Sequence, residues 1–217
     1  MGLLDAIRRR RSSPPAADTS DTPEPPRRTV AAPPVQRTRE DSCYVPADVD
    51  ATRFIGADGL PTLHLISYRD TGGEKVLRLC EDATGLLVGP SHRRLAHAGI
   101  YMSQLRGEAY HEQACKSGDF QPGTLVKLVR EPDNAYDPNA VAVYDKTGRH
   151  LAAYLNKQKA RMVAKLLDTG VDLRAISIRG TGPNQPCTQI AILTAEPRIL
   201  ARLTEPRPNH LPAPARP

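Results

Sequence analysis

The chain has no tryptophan, and its only aromatic residues are seven Tyr and two Phe among 217 residues. With 39% of residues hydrophobic, any core it builds is modest, enough for one or two small domains. Cysteine is equally scarce: Cys43, Cys80, Cys115 and Cys187 lie far apart and form no C-x-x-C pair. Together with six scattered histidines they offer no zinc-ligand spacing, so no metal site is expected. Isolated cysteines of this kind are expected to be buried, reduced thiols, which fits a cytoplasmic protein. No apolar run approaches the ~20 residues that a membrane-spanning helix needs. Met1–Ile7 is apolar but short and precedes the arginines Arg8–Arg11, the reverse of a secretory signal. Ala6 stands where N-myristoylation calls for Ser or Thr. The chain also lacks a Walker A loop, an H-E-x-x-H helix and a G-x-S-x-G elbow. No enzymatic activity and no cofactor are expected of it.

Proline is plentiful and unevenly spread: of 21, seven fall in residues 1–42 and six in residues 197–217. Those two stretches read as a disordered basic, Pro-rich arm and a disordered Pro-rich tail, leaving residues 43–196 to fold. The net charge of +6 permits an acidic partner. Counting residues 100–200, thirteen Lys/Arg against ten Asp/Glu leave only +3, so a solvated mixed surface accounts for the charge as readily as nucleic acid does.

Within residues 43–96, Thr62–Tyr68 and Lys75–Cys80 read as strands joined by a glycine-bearing turn, with Leu86–Val88 as a further strand. So small a β unit cannot bury a core alone and is expected to pack on the module C-terminal to it. From residue 97 the pattern is denser. Ile100–Tyr110 reads as a strand bent at Gly107. Lys116–Gly123 reads as a loop. Leu125–Val129 and Ala140–Tyr144 alternate as strands around a polar connection, Glu131–Asn139, and His150–Leu155 comes after a tight turn at Gly148. Asn156 caps an amphipathic helix running to Thr169, with Ala160, Val163, Ala164, Leu166 and Leu167 on one face and Lys157, Lys159, Arg161 and Lys165 on the other. Gly170 ends it. Strands over 171–180 and 187–194 close the series. This β-β-β-β-α-β-β order of short strands suits a small closed or nearly closed barrel. The expected class is mainly β with one principal helix: a barrel at 97–196, a β-rich appendage before it, and disordered tails.

The Glu131–Asn139 connection is longer than a hairpin requires. Asp133, Asn134, Asp137 and Asn139 can each bond a nearby backbone N–H, and Pro132 and Pro138 stiffen the path. A loop this rigid serves structure alone or presents Tyr136 and Asp137 as a binding surface.

The run Arg130-Glu131-Pro132-Asp133-Asn134, then Tyr136-Asp137-Pro138-Asn139-Ala140-Val141-Ala142-Val143, with Gly148 and Ala153-Tyr154-Leu155 after it and before a helix, resembles the HIRAN domain over about residues 97–195. The resemblance implies an OB- or SH3-like barrel that binds nucleic acid, reading single-stranded DNA 3′ ends in DNA repair or replication-fork processing. It implies that Tyr110 and Tyr136 sandwich the terminal base, that Asp137 accepts a hydrogen bond from the free 3′-hydroxyl, and that Lys157 contacts a phosphate. Each has a plainer reading beside it: Asp137 as a turn former, Lys157 as a solvated helix residue. The chain departs from the DNA-binding relatives at Ala109, where they carry an arginine, and at His111, where a second aromatic is common. It also lacks an aromatic near Cys187. These departures imply weaker or altered DNA binding, and the alternative function is a non-catalytic protein-interaction adaptor using the barrel as a docking surface. A metal-dependent nuclease would need Asp133, Asp137 and Asp145 gathered on one ion, and turn chemistry explains them without it.

Overall fold

The computed structural model describes residues 43–187 and 189–216. The N-terminal arm read from the sequence, residues 1–42 with its Arg8–Arg11 run, lies outside the described residues.

Among the described residues, nine strands form two sheets. A three-stranded antiparallel sheet contains β1 (Leu63–Arg69), β2 (Lys75–Glu81) and β3 (Leu87–Val88) in that order. Six strands then close a barrel: β4 (Tyr101–Arg106), β5 (Leu125–Arg130), β6 (Val141–Asp145), β7 (Leu151–Leu155), β8 (Arg174–Arg179) and β9 (Ala191–Ala195), in the order β4-β7-β6-β5-β8-β9. The antiparallel β4–β9 pair, Tyr101 opposite Thr194 through Gln104 opposite Ala191, makes the closure.

The barrel is filled by inward residues that alternate along each strand. Leu105, Val126, Val141, Val143, Ala153, Leu155 and Ile192 meet there around Phe120. The principal helix, α2 (Lys157–Asp168), packs Ala160, Val163 and Ala164 into the same core, with the Asn156 side chain accepting from the Lys159 N–H at 3.1 Å. Its capping residue and its apolar face are those expected from the sequence.

A second core lies outside the barrel wall. Ile100, Met102, Ile176, Ile178, Leu193 and Ala195 point away from the barrel interior and meet Leu63, Leu79 and Val88 of the small sheet. Strand β8 is therefore buried on both faces over Ala175–Ile178, which gives it a near-continuous apolar run. The small sheet packs on the barrel for the reason its size requires: its apolar face has no other cover.

Three features differ from the sequence reading. The segment after β4 is not a continuing strand, because Gly107 adopts φ +97° and turns the chain into a single 3-10 turn, Glu108–His111, and then a short helix, α1 (Glu112–Ser117). Residues 197–216, read as a disordered tail, begin with a third helix, α3 (Pro197–Thr204), with Pro197 in its first turn. Leu200 and Leu203 of α3 are buried in the second core, and beyond it the Arg207 guanidinium reaches the Glu81 and Asp82 carbonyls while the Ala215 N–H donates to the Gly85 carbonyl at 2.8 Å. Composition pointed to disorder, but two leucines spaced three apart suffice to anchor a helix against a sheet. Finally, Cys115 and Cys187 are joined as a disulfide with Cα atoms 5.7 Å apart, whereas Cys43 and Cys80 are buried thiols. The expectation of four reduced cysteines is corrected, and with it goes the cysteine argument for a cytoplasmic location.

Candidate nucleic-acid interface

Strand pairing brings the roots of the two segments that carry Tyr110 and Tyr136–Asp137 to one row of residues. Val129 pairs with Ala142, Ala142 with Tyr154, and Tyr154 with Arg106, so these four form a row across β5, β6, β7 and β4. The Glu131–Asn139 loop leaves β5 one residue past this row and returns into β6. The turn bearing Tyr110 leaves β4 directly after Arg106. Tyr154 is the link between the two arms: its ring lies 5.9 Å from that of His111, tilted by 52°, and its hydroxyl points at the Glu131 carboxylate at 3.5 Å. Partial burial, with the Glu131 charge beside it, raises the Tyr154 pKa.

The loop is held by its own side chains. The Asn134 carbonyl oxygen accepts from the Tyr136 N–H at 3.0 Å and the Asp137 N–H at 3.3 Å, while the Asn134 amide donates to Glu131 at 2.9 Å. Asp137 Oδ1 accepts from the Asn139 N–H at 2.8 Å, and the Ala140 N–H closes onto the Asp137 carbonyl. These are the Asx-turns that the composition allows. They leave Tyr136 91% exposed, and Tyr110 on the other arm is 90% exposed. Two large aromatic side chains standing free in water bury nothing in the folded chain, so packing does not account for them. Asp137 resolves into two atoms: Oδ1 serves the turn, and Oδ2 makes no hydrogen bond among the described residues. The structural and the binding reading of this residue are thus compatible.

Lys157 is the first residue of α2, exposed, at the end of β7 where Tyr154 lies. Arg130, part of the sequence signature, is not available to a ligand in the same way. It pairs with Asp168 at the far end of α2 at 3.0 Å and donates to the Ala140 carbonyl at 3.2 Å, tying loop, strand and helix together. Ala109 leaves the position beside Tyr110 without a cation. Arg106, three residues earlier, is exposed and has no ion pair among the described residues. Sequence reasoning missed Arg106 and gave Tyr154 no place in the site. Their shared position in the pairing row is what identifies them, and no local pattern carries that information. The described residues contain no group of three or more His, Cys, Asp or Glu that could hold a metal ion, and Asp145 spends its oxygens on Thr147, His150 and the Arg149 N–H.

The HIRAN domain family matches residues 100–194. Among solved structures, the chain is similar to the HIRAN domain of human HLTF, at 21% identity and a TM-score of 0.36 over 48% of this chain and 83% of that one. It is also similar to a Lactobacillus plantarum protein of known crystal structure, at 22% identity and a TM-score of 0.36 over 44% and 92%. No curated protein matches the chain.

Proposed function

We propose that residues 100–194, which the HIRAN domain family matches, form a nucleic-acid-binding module that binds single-stranded DNA by a free 3′ end. The observation that carries the reading is the pair of exposed tyrosines, Tyr110 and Tyr136, hung from one pairing row on either side of Tyr154. Two exposed aromatic faces on neighbouring arms can take a base between them without regard to its identity. Asp137 Oδ2 then meets the end of the strand. A carboxylate repels phosphate, so a free hydroxyl is the terminus it favours and a phosphorylated or continuing end is disfavoured. Lys157 and Arg106 supply the phosphate contacts, Arg106 in place of the arginine that Ala109 lacks. Work at DNA ends in repair or fork processing accords with such a preference.

The test is fluorescence anisotropy with a short labelled strand ending in a 3′-hydroxyl, against the same strand ending in a 3′-phosphate. Asp137→Asn keeps the oxygen that accepts from Asn139 and removes only the charge. The wild type is expected to prefer the hydroxyl end, and Asp137→Asn to bind both ends alike. Equal binding of the two ends by the wild type overturns the end-reading proposal.

A second reading, a protein-docking adaptor, is favoured by Leu125 and Val129, which stand 55% and 41% exposed on the outer face of β5. Salt separates the two: phosphate contacts weaken steeply between about 50 and 200 mM salt, whereas an apolar protein contact does not.

A further inference from the structure

The seam between the small sheet and the barrel holds a cleft of about 370 Å³ that the end-binding site does not use. Its floor is apolar, formed by Val88, Met102 and Ile178, and its wall carries Arg78 and Arg179. The two arginines differ. Arg179 is neutralised, with Asp70 at 2.7 Å and Glu74 at 3.7 Å. Arg78 is half-buried yet has no carboxylate partner among the described residues: its Nη1 donates to the Tyr44 hydroxyl at 3.0 Å, its guanidinium lies 5.8 Å over the Tyr68 ring, and its buried Nε has no partner there. A guanidinium drawn out of water without a counter-ion is costly, and a planar fork of donors over a cleft suits a phosphate.

Gln104 and Gln189 belong to this cleft and also to a second one, lined by Arg106, Ala109 and Cys187, beside the Tyr110 turn. The two therefore adjoin along these glutamines. Glu108 and Glu112 also line the second cleft, and their charge keeps a phosphate backbone away from that side and toward the two glutamines.

We infer that the strand whose 3′ end lies at Tyr110 and Tyr136 runs in its 5′ direction across Gln104 and Gln189 into the seam, where Arg78 takes a phosphate and the apolar floor takes a sugar or base. This rests on the end-binding reading above and extends it: the appended sheet becomes part of the nucleic-acid site and supplies a further cation, Arg78.

The experiment compares full-length protein binding to labelled oligothymidylates of two and eight nucleotides, both with a free 3′-hydroxyl, at several salt concentrations. Arg78→Gln removes the cation. Gln104→Glu, at an exposed position, places a negative charge on the path without touching the Tyr44 contact. Both variants are expected to weaken the eight-nucleotide strand about tenfold and to leave the dinucleotide unchanged. The salt slope of Arg78→Gln for the longer strand is expected to fall by about 0.7, one phosphate contact. If both variants bind both lengths as the wild type does, while Tyr136→Ala loses both, the seam site is wrong and the end site stands. A loss by Arg78→Gln that is equal for both lengths also overturns it, since the effect then lies in the fold. If Tyr136→Ala keeps the dinucleotide, the end reading is what falls, and a length-dependent loss in Arg78→Gln still places a phosphate in the seam.

Discussion

The two arms that present Tyr110 and Tyr136 reach the same exposure by opposite means. The Glu131–Asn139 loop is held mostly from within: Asn134 and Asp137 satisfy backbone N–H groups two or three residues away, and Arg130 with Asp168 and Tyr154 with Glu131 secure its base. The Glu108–Ser117 arm has almost no such bonds. It is turned by Gly107 and tied at Cys115 to Cys187, 72 residues away. Local bonding makes one arm autonomous, while the other depends on the barrel having formed. In the proposed complex, a base between them would be gripped by one preset jaw and one set by the global fold.

That contrast can be broken at either jaw. The largest expected effect is on the covalent tie: Cys115→Ala with Cys187→Ala, or reduction, is expected to cost about 4 kcal/mol of stability through the released loop. Thermal unfolding with and without reductant measures it. Next come the tyrosines. Tyr110→Ala and Tyr136→Ala are each expected to lose about 1–3 kcal/mol of binding to a 3′-hydroxyl strand with unfolding unchanged, since both rings stand in solvent. Comparable losses from the two would show that both jaws close on the base, and a loss from Tyr136→Ala alone would reduce the site to the autonomous loop.

A third prediction touches neither arm and serves as the reference for them. Burial disfavours the Asp145 carboxylate, but hydrogen bonds from His150, Thr147 and two backbone N–H groups outweigh it and hold its pKa at about 2. A folded-state pKa below the unfolded value stabilises above pH ~4 and is lost as pH falls toward 2, a contribution of about 2 kcal/mol. Asp145→Asn is expected to flatten the acid limb of stability against pH over that window. The smallest effect is expected from Asn134→Ala, about 1 kcal/mol, because it frees two N–H groups in a loop that water reaches. Its signature is a loss in strand affinity larger than the loss in stability, as Tyr136 becomes free to swing.

What could be read in the chain divides along the same line. Asn134, Asp137 and Asn139 signal their turns, and Asn156 and Gly170 mark the ends of α2, because each acts on backbone within a few residues. Most strands of both sheets are visible by their alternation, and β8 by its near-continuous apolar run. Helix α1 is too short for a period of 3.6 to register, and α3 sits in a Pro-rich stretch where contact with β1, β8 and β9 reveals it. Tyr154 and Arg106 share a row only because β4 and β7 pair, and the Cys115–Cys187 tie has no spacing signature.

The closure of the barrel by β4 and β9 also sets an order of events. Tyr101 must find Thr194 across most of the domain before Ile100, Met102, Leu193 and Ala195 form one wall. The β1–β2 hairpin is local and can form at once, yet its apolar face has nothing to lie on until that wall exists. A hairpin formed before that wall carries an uncovered greasy side, so recovery of native protein is expected to fall with concentration. Dilution series from denaturant, monitored by light scattering, would register this, and Leu79→Lys on the hairpin would relieve the scattering while preventing the small sheet from docking.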